Sequence, residues 1–260
     1  MGRSVVAPFL WNRGIRRIDH VIGTHPQLDH VGGLAWILAH FQVEKFWTNG
    51  AERQEEFWRR IERAMVRRKL EATVATEGRL ISEGPACRMV VLNPQPRPES
   101  SISAKSESLN NLSVVTELVC REQRVLFTGD IEREALTRLT HSGNSAHIAL
   151  LKVPHHGAKS SLERRWLETI RPAVGVVSAG RRNPYGHPAG EVLAAYQAVE
   201  TQVWRTDRDG AIWADLDLTR QELSMHSTRE WILQPALPSA DIWSVEQDNL
   251  RRLWRRWNWT

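Results

Sequence analysis

The chain has 260 residues, of which 41% are hydrophobic and 25% charged, placing it among ordinary globular proteins with enough apolar material for one sizeable core. No apolar run approaches the roughly 20 residues that a membrane-spanning helix requires, so a spanning segment is excluded. The formal net charge of +5 favours polyanions, yet the excess is too modest to name nucleic acid by itself.

At the N-terminus, MGRSVVAPFLWNRG carries an apolar run too short for a signal peptide and broken by Pro8. The chain therefore reads as soluble. Short β-branched or aliphatic runs then alternate with helical stretches: Val21-Ile22, Met89 to Leu92, Ser113 to Val119, Val125 to Phe127, Ile148 to Val153 and Ala173 to Val177. This alternation predicts an α/β fold. Between the first two runs, Phe57, Ile61 and Met65 recur at four-residue spacing within Ala51 to Leu70, as a helix with one buried stripe requires.

Cys87 and Cys120 are far apart and lack CxxC or CxxH neighbours, so neither a zinc ribbon nor a disulfide framework is signalled. Both are expected to act as small buried hydrophobes. From Asn93 to Ser108 the alternating prolines Pro94, Pro96 and Pro98 predict an extended surface loop. Residues 1–225 read as one domain, and 226–260 as a Trp/Arg-rich extension whose Leu250, Leu253, Trp254 and Trp257 share a helical face. Arginine with aromatics suits phosphate contact plus base stacking, but equally a membrane-surface helix or a stripe packed on the body.

Three of the strand-like runs end in ionisable residues, and loops at the ends of rigid strands are where functional groups collect. Val21-Ile22 leads to His25, Asp29 and His30; Val125 to Phe127 leads to Thr128-Gly129-Asp130; Ile148 to Val153 leads to Pro154-His155-His156-Gly157. Imidazoles mixed with carboxylates suit zinc, manganese or iron better than calcium or magnesium. Each cluster has a plainer reading: a hydrogen-bonded His/Asp pair, an Asp130 that caps the helix predicted over Ile131 to Leu139, or turn residues.

Six blocks in one order favour the metal reading. THPQLDHVGG, NNLSVV, LFTGDIEREAL, LKVPHHGAKSS, NPYGHPAGEVL and WRTDRDGAI, spread over Ser4 to Ile212, resemble the metallo-β-lactamase superfamily, and within it the C-terminal nuclease domain of the ComEC family of competence-associated DNA-uptake channels. The resemblance implies an αββα sandwich and two divalent ions, zinc or manganese. It makes His25, Gln27, Asp29, His30, Asp130 and His156 metal ligands, with Asp130 bridging both ions. It makes Asp29, His155 and His187 candidate catalytic groups, the last also a possible ligand or phosphate contact, and Asn110, Asn111 and Ser113 substrate contacts or turn formers.

The activity so implied is metal-dependent hydrolysis of phosphodiesters, with single-stranded DNA as substrate and possible association with a membrane DNA-uptake channel. A catalytically silent DNA-binding remnant and a small-molecule phosphodiesterase are the alternatives, since one fold serves many reactions. Two departures from the pattern matter. Gln27 stands where the superfamily has His, and a neutral amide is the poorer donor, so one ion is expected to bind weakly or not at all. Nothing in Met1 to Gly14 matches the strands and V-G-Q-G-D block expected ahead of PFLWNRG, so the sandwich is expected to lack the first strands of its N-terminal sheet. Alone, this chain would reside in the cytoplasm; the domain it resembles faces the extracytoplasmic side.

Overall fold

A computed structural model describes residues 1–51, 56–96, 108–141 and 147–229. The strands are β1 (Arg17–Gly23), β2 (Gln42–Thr48), β3 (Ala72–Val74), β4 (Leu80–Glu83), β5 (Cys87–Asn93), β6 (Val115–Cys120), β7 (Gln123–Phe127), β8 (Leu150–Lys152), β9 (Val174–Val177), β10 (Gln202–Arg205), β11 (Ile212–Asp217) and β12 (Glu222–Ser227). The helices are α1 (Ala7–Asn12), α2 (Leu28–Val31), α3 (Leu34–His40), α4 (Glu56–Arg68), α5 (Arg133–His141), α6 (Arg164–Ile170), α7 (Gly190–Ala198) and α8 (Thr206–Asp209).

Two sheets face each other. The smaller is parallel, in the order β1-β2-β3. The larger runs β10-β9-β8-β7-β6-β5-β4, parallel from β10 to β7 and antiparallel from there to β4. Strands β11 and β12 form a separate antiparallel pair.

Alternation along the strands generates the layers. On β2, Phe46 joins Trp58, Ile61 and Ala64 of α4 and Leu38 of α3 on the outer face of the small sheet. Its neighbour Trp47 points the other way and meets Ile81, Val91 and Val114 between the sheets. Beyond the larger sheet, Leu126 and Leu151 pack against Leu136, Trp166, Leu167 and Tyr196 of α5, α6 and α7. The order is therefore helix, sheet, sheet, helix, an αββα sandwich.

The buried stripe of α4 is centred on Ile61, as expected: Trp58, Ile61 and Ala64 are buried, and Phe57 and Met65 flank them partly buried. The cysteine expectation is overturned. Cys87 and Cys120 are directly opposed on β5 and β6, their Cα atoms 4.1 Å apart, and form a disulfide. The sequence hid this because 33 positions separate them; only antiparallel pairing makes them neighbours. The Trp/Arg-rich extension beyond Arg229 and most of the proline-rich loop lie outside the described residues.

Candidate metal centre

Strands β1, β7, β8 and β9 all deliver their C-terminal ends to one edge of the sandwich, where ligands gather in open α/β sheets. The two sheets are stitched there: Val114 N donates to Thr24 O at 2.8 Å, and Asn49 Nδ2 to Leu112 O at 3.1 Å. Asn93 Nδ2 holds the carbonyls of both Asn111 and Ser113, at 2.9 and 2.8 Å. These bonds fix the loops before any ligand is considered.

Asp130 is the hub, 1% exposed. Its Oδ2 lies 3.0 Å from His30 Nε2 and 3.2 Å from His156 Nε2, while Asp29 Oδ2 lies 3.6 Å from each of the same two nitrogens. One donor atom from each of Asp29, His30, Asp130 and His156 falls within 4.8 Å of all the others. Residues 100 positions apart thus meet within coordination reach of a common point.

Local backbone dictates the arrangement. Gly129 has φ +55°, and a Cβ there would stand 2.7 Å from Ser113 Cβ, so Thr-Gly-Asp can turn only around glycine. The helix predicted over Ile131 to Leu139 begins only at Arg133, which leaves Asp130 in the turn and not at its cap. His155 and His156 both adopt left-handed backbone, φ 45° and 55°, followed by Gly157 at +79°. Left-handed non-glycine residues cost stability, and a run of them marks a functional turn.

Burial by itself would raise the Asp130 carboxyl, but the imidazoles of His156 and His30 and the Lys152 ammonium outweigh it and hold its pKa well below the ordinary range. It is a carboxylate under any mild condition. His25 is 1% exposed, and burial, reinforced by His30, pushes it down to about 4, so this imidazole stays neutral. His156 Nδ1 donates to Ser178 O at 2.6 Å, which turns Nε2 toward Asp130, whose carboxylate raises the pKa of this imidazole against the effect of burial. That Nε2, like the Nε2 of His25, is buried without a hydrogen bond. Two carboxylates and two imidazoles, one of them with its Nε2 orphaned, fit a divalent ion of the zinc or manganese type.

The remaining expected residues divide. His25 stands behind His30, ring centroids 4.1 Å apart, with Nδ1 3.1 Å from Ser113 Oγ. Gln27 donates through Nε2 to Asn110 Oδ1 at 3.0 Å. His155 lies at the rim, Nε2 3.9 Å from Asp130 Oδ2 and Nδ1 3.2 Å from Glu132 Oε1. His187 sits 5.9 Å from His155 between ring centroids. Asn111 and Ser113 are buried: Asn111 Oδ1 accepts from Glu132 N at 2.8 Å, and Ser113 Oγ from Asp130 N at 3.1 Å. They position the Asp130 turn; Asn110 is half-exposed.

Lys152 was not singled out in the sequence. Its Nζ donates to Gly129 O at 2.7 Å and lies 3.4 Å from Asp130 Oδ1, the oxygen turned away from His30 and His156. Burial lowers its pKa while Asp130 opposes that. A lysine inside the apolar run Ile148 to Val153 was the available signal, because a buried ammonium needs an anion nearby.

The model of the metallo-beta-lactamase superfamily matches residues 2–86, the segment that holds His25, Asp29 and His30. Over that segment the chain is similar to the metallo-beta-lactamase superfamily. Over 218 residues it is 28% identical to ComE operon protein 3 of Bacillus subtilis (strain 168), covering 82% of this chain and 26% of the relative. Over 210 residues it is 27% identical to competence protein ComA of Neisseria gonorrhoeae, covering 80% and 26% respectively. The chain thus spans about a quarter of the length of the curated relatives it matches. Among solved structures, Igni18, a metallo hydrolase from Ignicoccus hospitalis, matches 80% of this chain and 79% of its own at 15% identity and a TM-score of 0.47. No helix among the described residues is long and apolar enough to cross a membrane.

Proposed function

We propose that this chain is a metal-dependent hydrolase of phosphodiester bonds acting on single-stranded DNA. The observation that carries the reading is the convergence of Asp29, His30, Asp130 and His156 on one point. The substrate class is supported by the competence proteins among its relatives and by the net positive charge. A divalent ion bound there supplies Lewis-acid polarisation of a phosphoryl oxygen and acidifies a water near neutral pH.

Asp29, His30, Asp130 and His156 would hold the tighter ion. A weaker one would be left with His25 Nε2 and the Gln27 amide, both uncharged. Of the two rim histidines, His155 is the better proton donor to a departing alkoxide. Glu132 Oε1, 3.2 Å from its Nδ1, accepts from that nitrogen and orients the ring, so that the proton given to the leaving alkoxide is the one on Nε2 of the doubly protonated ring, which is left as the neutral Nδ1–H form. Burial, with His155 and His156 adding, lowers the pKa of His187, so it is uncharged near neutral pH and serves as a hydrogen-bonding contact.

The Cys87–Cys120 disulfide suits an oxidising compartment, which supports an extracytoplasmic location. The decisive test is turnover of a single-stranded oligonucleotide with manganese or zinc: the wild type should cleave it, and Asp130→Ala should fall by at least about 100-fold. Cleavage that survives this change removes the reading. A DNA-binding remnant without turnover is favoured instead if no divalent ion supports cleavage, and the Gln27 amide bonded to Asn110 is the feature that would explain it.

A further inference from the structure

The turn after β9 presents a side chain that the reaction does not require. Tyr185 is 78% exposed and so adds little to any core. Its ring lies nearly parallel to that of His187, 20° between planes and 5.8 Å between centroids. His187 stands 5.9 Å from His155, whose Nε2 is 3.9 Å from Asp130 Oδ2. A row of three rings therefore leads from open solvent to the metal cluster.

The turn is built to hold its shape. Asn183 clamps it by donating to His187 O at 2.7 Å and accepting from His187 N at 3.0 Å, across Gly186 at φ +67°. Ala189 N donates to Gly157 O at 2.9 Å, and a Cβ on Gly157 would stand 2.6 Å from Pro188 Cβ, so the turn is pressed against the one that carries His156. Arg181 and Arg182 are exposed on the same loop. A fixed aromatic face open to water, with cations beside it, matches a nucleotide: base on ring, phosphate on guanidinium.

We infer that Tyr185 is a stacking platform for a nucleobase of a single strand, positioning the adjoining phosphodiester at the metal cluster. This rests on the proposed phosphodiester hydrolysis for its substrate class. A duplex keeps its bases paired and stacked inward, so the platform selects single strands.

The experiment measures binding of the metal-loaded full chain to two fluorescent, cleavage-resistant phosphorothioate oligonucleotides by anisotropy, one of thymidines and one abasic. Tyr185→Ala should weaken thymidine binding roughly ten-fold, the size of one base-aromatic stack, and leave abasic binding within about two-fold. Tyr185→Phe should bind as the wild type does, since the ring face and not the hydroxyl is used. Equal loss on both oligonucleotides, no loss on either, or a Phe variant as weak as Ala overturns the inference, as does a wild type that binds neither. Cleavage of an unmodified strand is scored separately: normal stacking without cleavage sinks the hydrolase and keeps the platform, and cleavage indifferent to Tyr185→Ala does the reverse.

Discussion

Asp130 shows how much one side chain can be asked to do. A carboxylate shared by two ions gives each of them one oxygen, whereas here Oδ2 faces His30 and His156 and Oδ1 faces the Lys152 ammonium. Together with the neutral Gln27, this would leave a second ion with weaker donors than the first. Wild-type protein passed through gel filtration should retain about one manganese or zinc ion per chain by elemental analysis, and Gln27→His should retain about two, because imidazole outcompetes an amide as a donor. A wild type that already keeps two ions would show that the amide is no handicap. Gly129 is equally constrained. Gly129→Ala must place a Cβ against Ser113 at a left-handed φ, and should lower the unfolding free energy in urea by about 2 kcal/mol or more.

At the level of elements, six strands were legible because their β-branched runs are short and bounded by turn residues, as with Val125 to Phe127 before Thr-Gly-Asp. Strand β2 was not. Its sequence QVEKFWT mixes charges with aromatics, and its hydrophobic half, Phe46 and Trp47, serves two different layers. A parallel strand covered on both faces shows no clean alternation. The pair His20 and Trp47, which crosses from β1 to β2, carries a prediction with a definite sign. Trp47 Nε1 donates to His20 Nδ1 at 3.1 Å, and burial, with Lys45 adding, lowers the His20 pKa. The unfolded chain therefore takes up this proton first, so the contribution is present above about pH 6.5 and is lost as pH falls toward the folded value. His20→Asn, which keeps an acceptor without a titration, should show a smaller loss of thermal stability between pH 7 and pH 5. Joining β5 to β6, the Cys87–Cys120 bridge closes a loop of 33 positions. Its reduction should cost about 3 kcal/mol, read as a lower denaturation midpoint in dithiothreitol.

For the whole molecule, the metal centre is also a clasp. Asp29 and His30 follow β1 of the small sheet, whereas Asp130 and His156 follow β7 and β8 of the large one. An ion held by all four binds only the docked sandwich, so saturating it at about 100 times its Kd should stabilise folding by roughly 2.7 kcal/mol. Chelator should lower the melting temperature accordingly and speed hydrogen exchange at the Val114 amide, where the sheets are stitched. Unchanged melting in chelator would mean that the four side chains hold no ion that matters to the fold.

The sequence by itself determined the chemistry on offer: which strand-like runs end in imidazoles and carboxylates, and that position 27 offers a neutral amide among them, because residue type and spacing fix donor character. Only the tertiary structure decided which of these donors share a centre, that His156 and not His155 turns its Nε2 inward, that Asn111 and Ser113 support the site from below, and that Cys87 meets Cys120. Those outcomes depend on strand register and on left-handed turns, which arise from contacts between segments far apart in the chain.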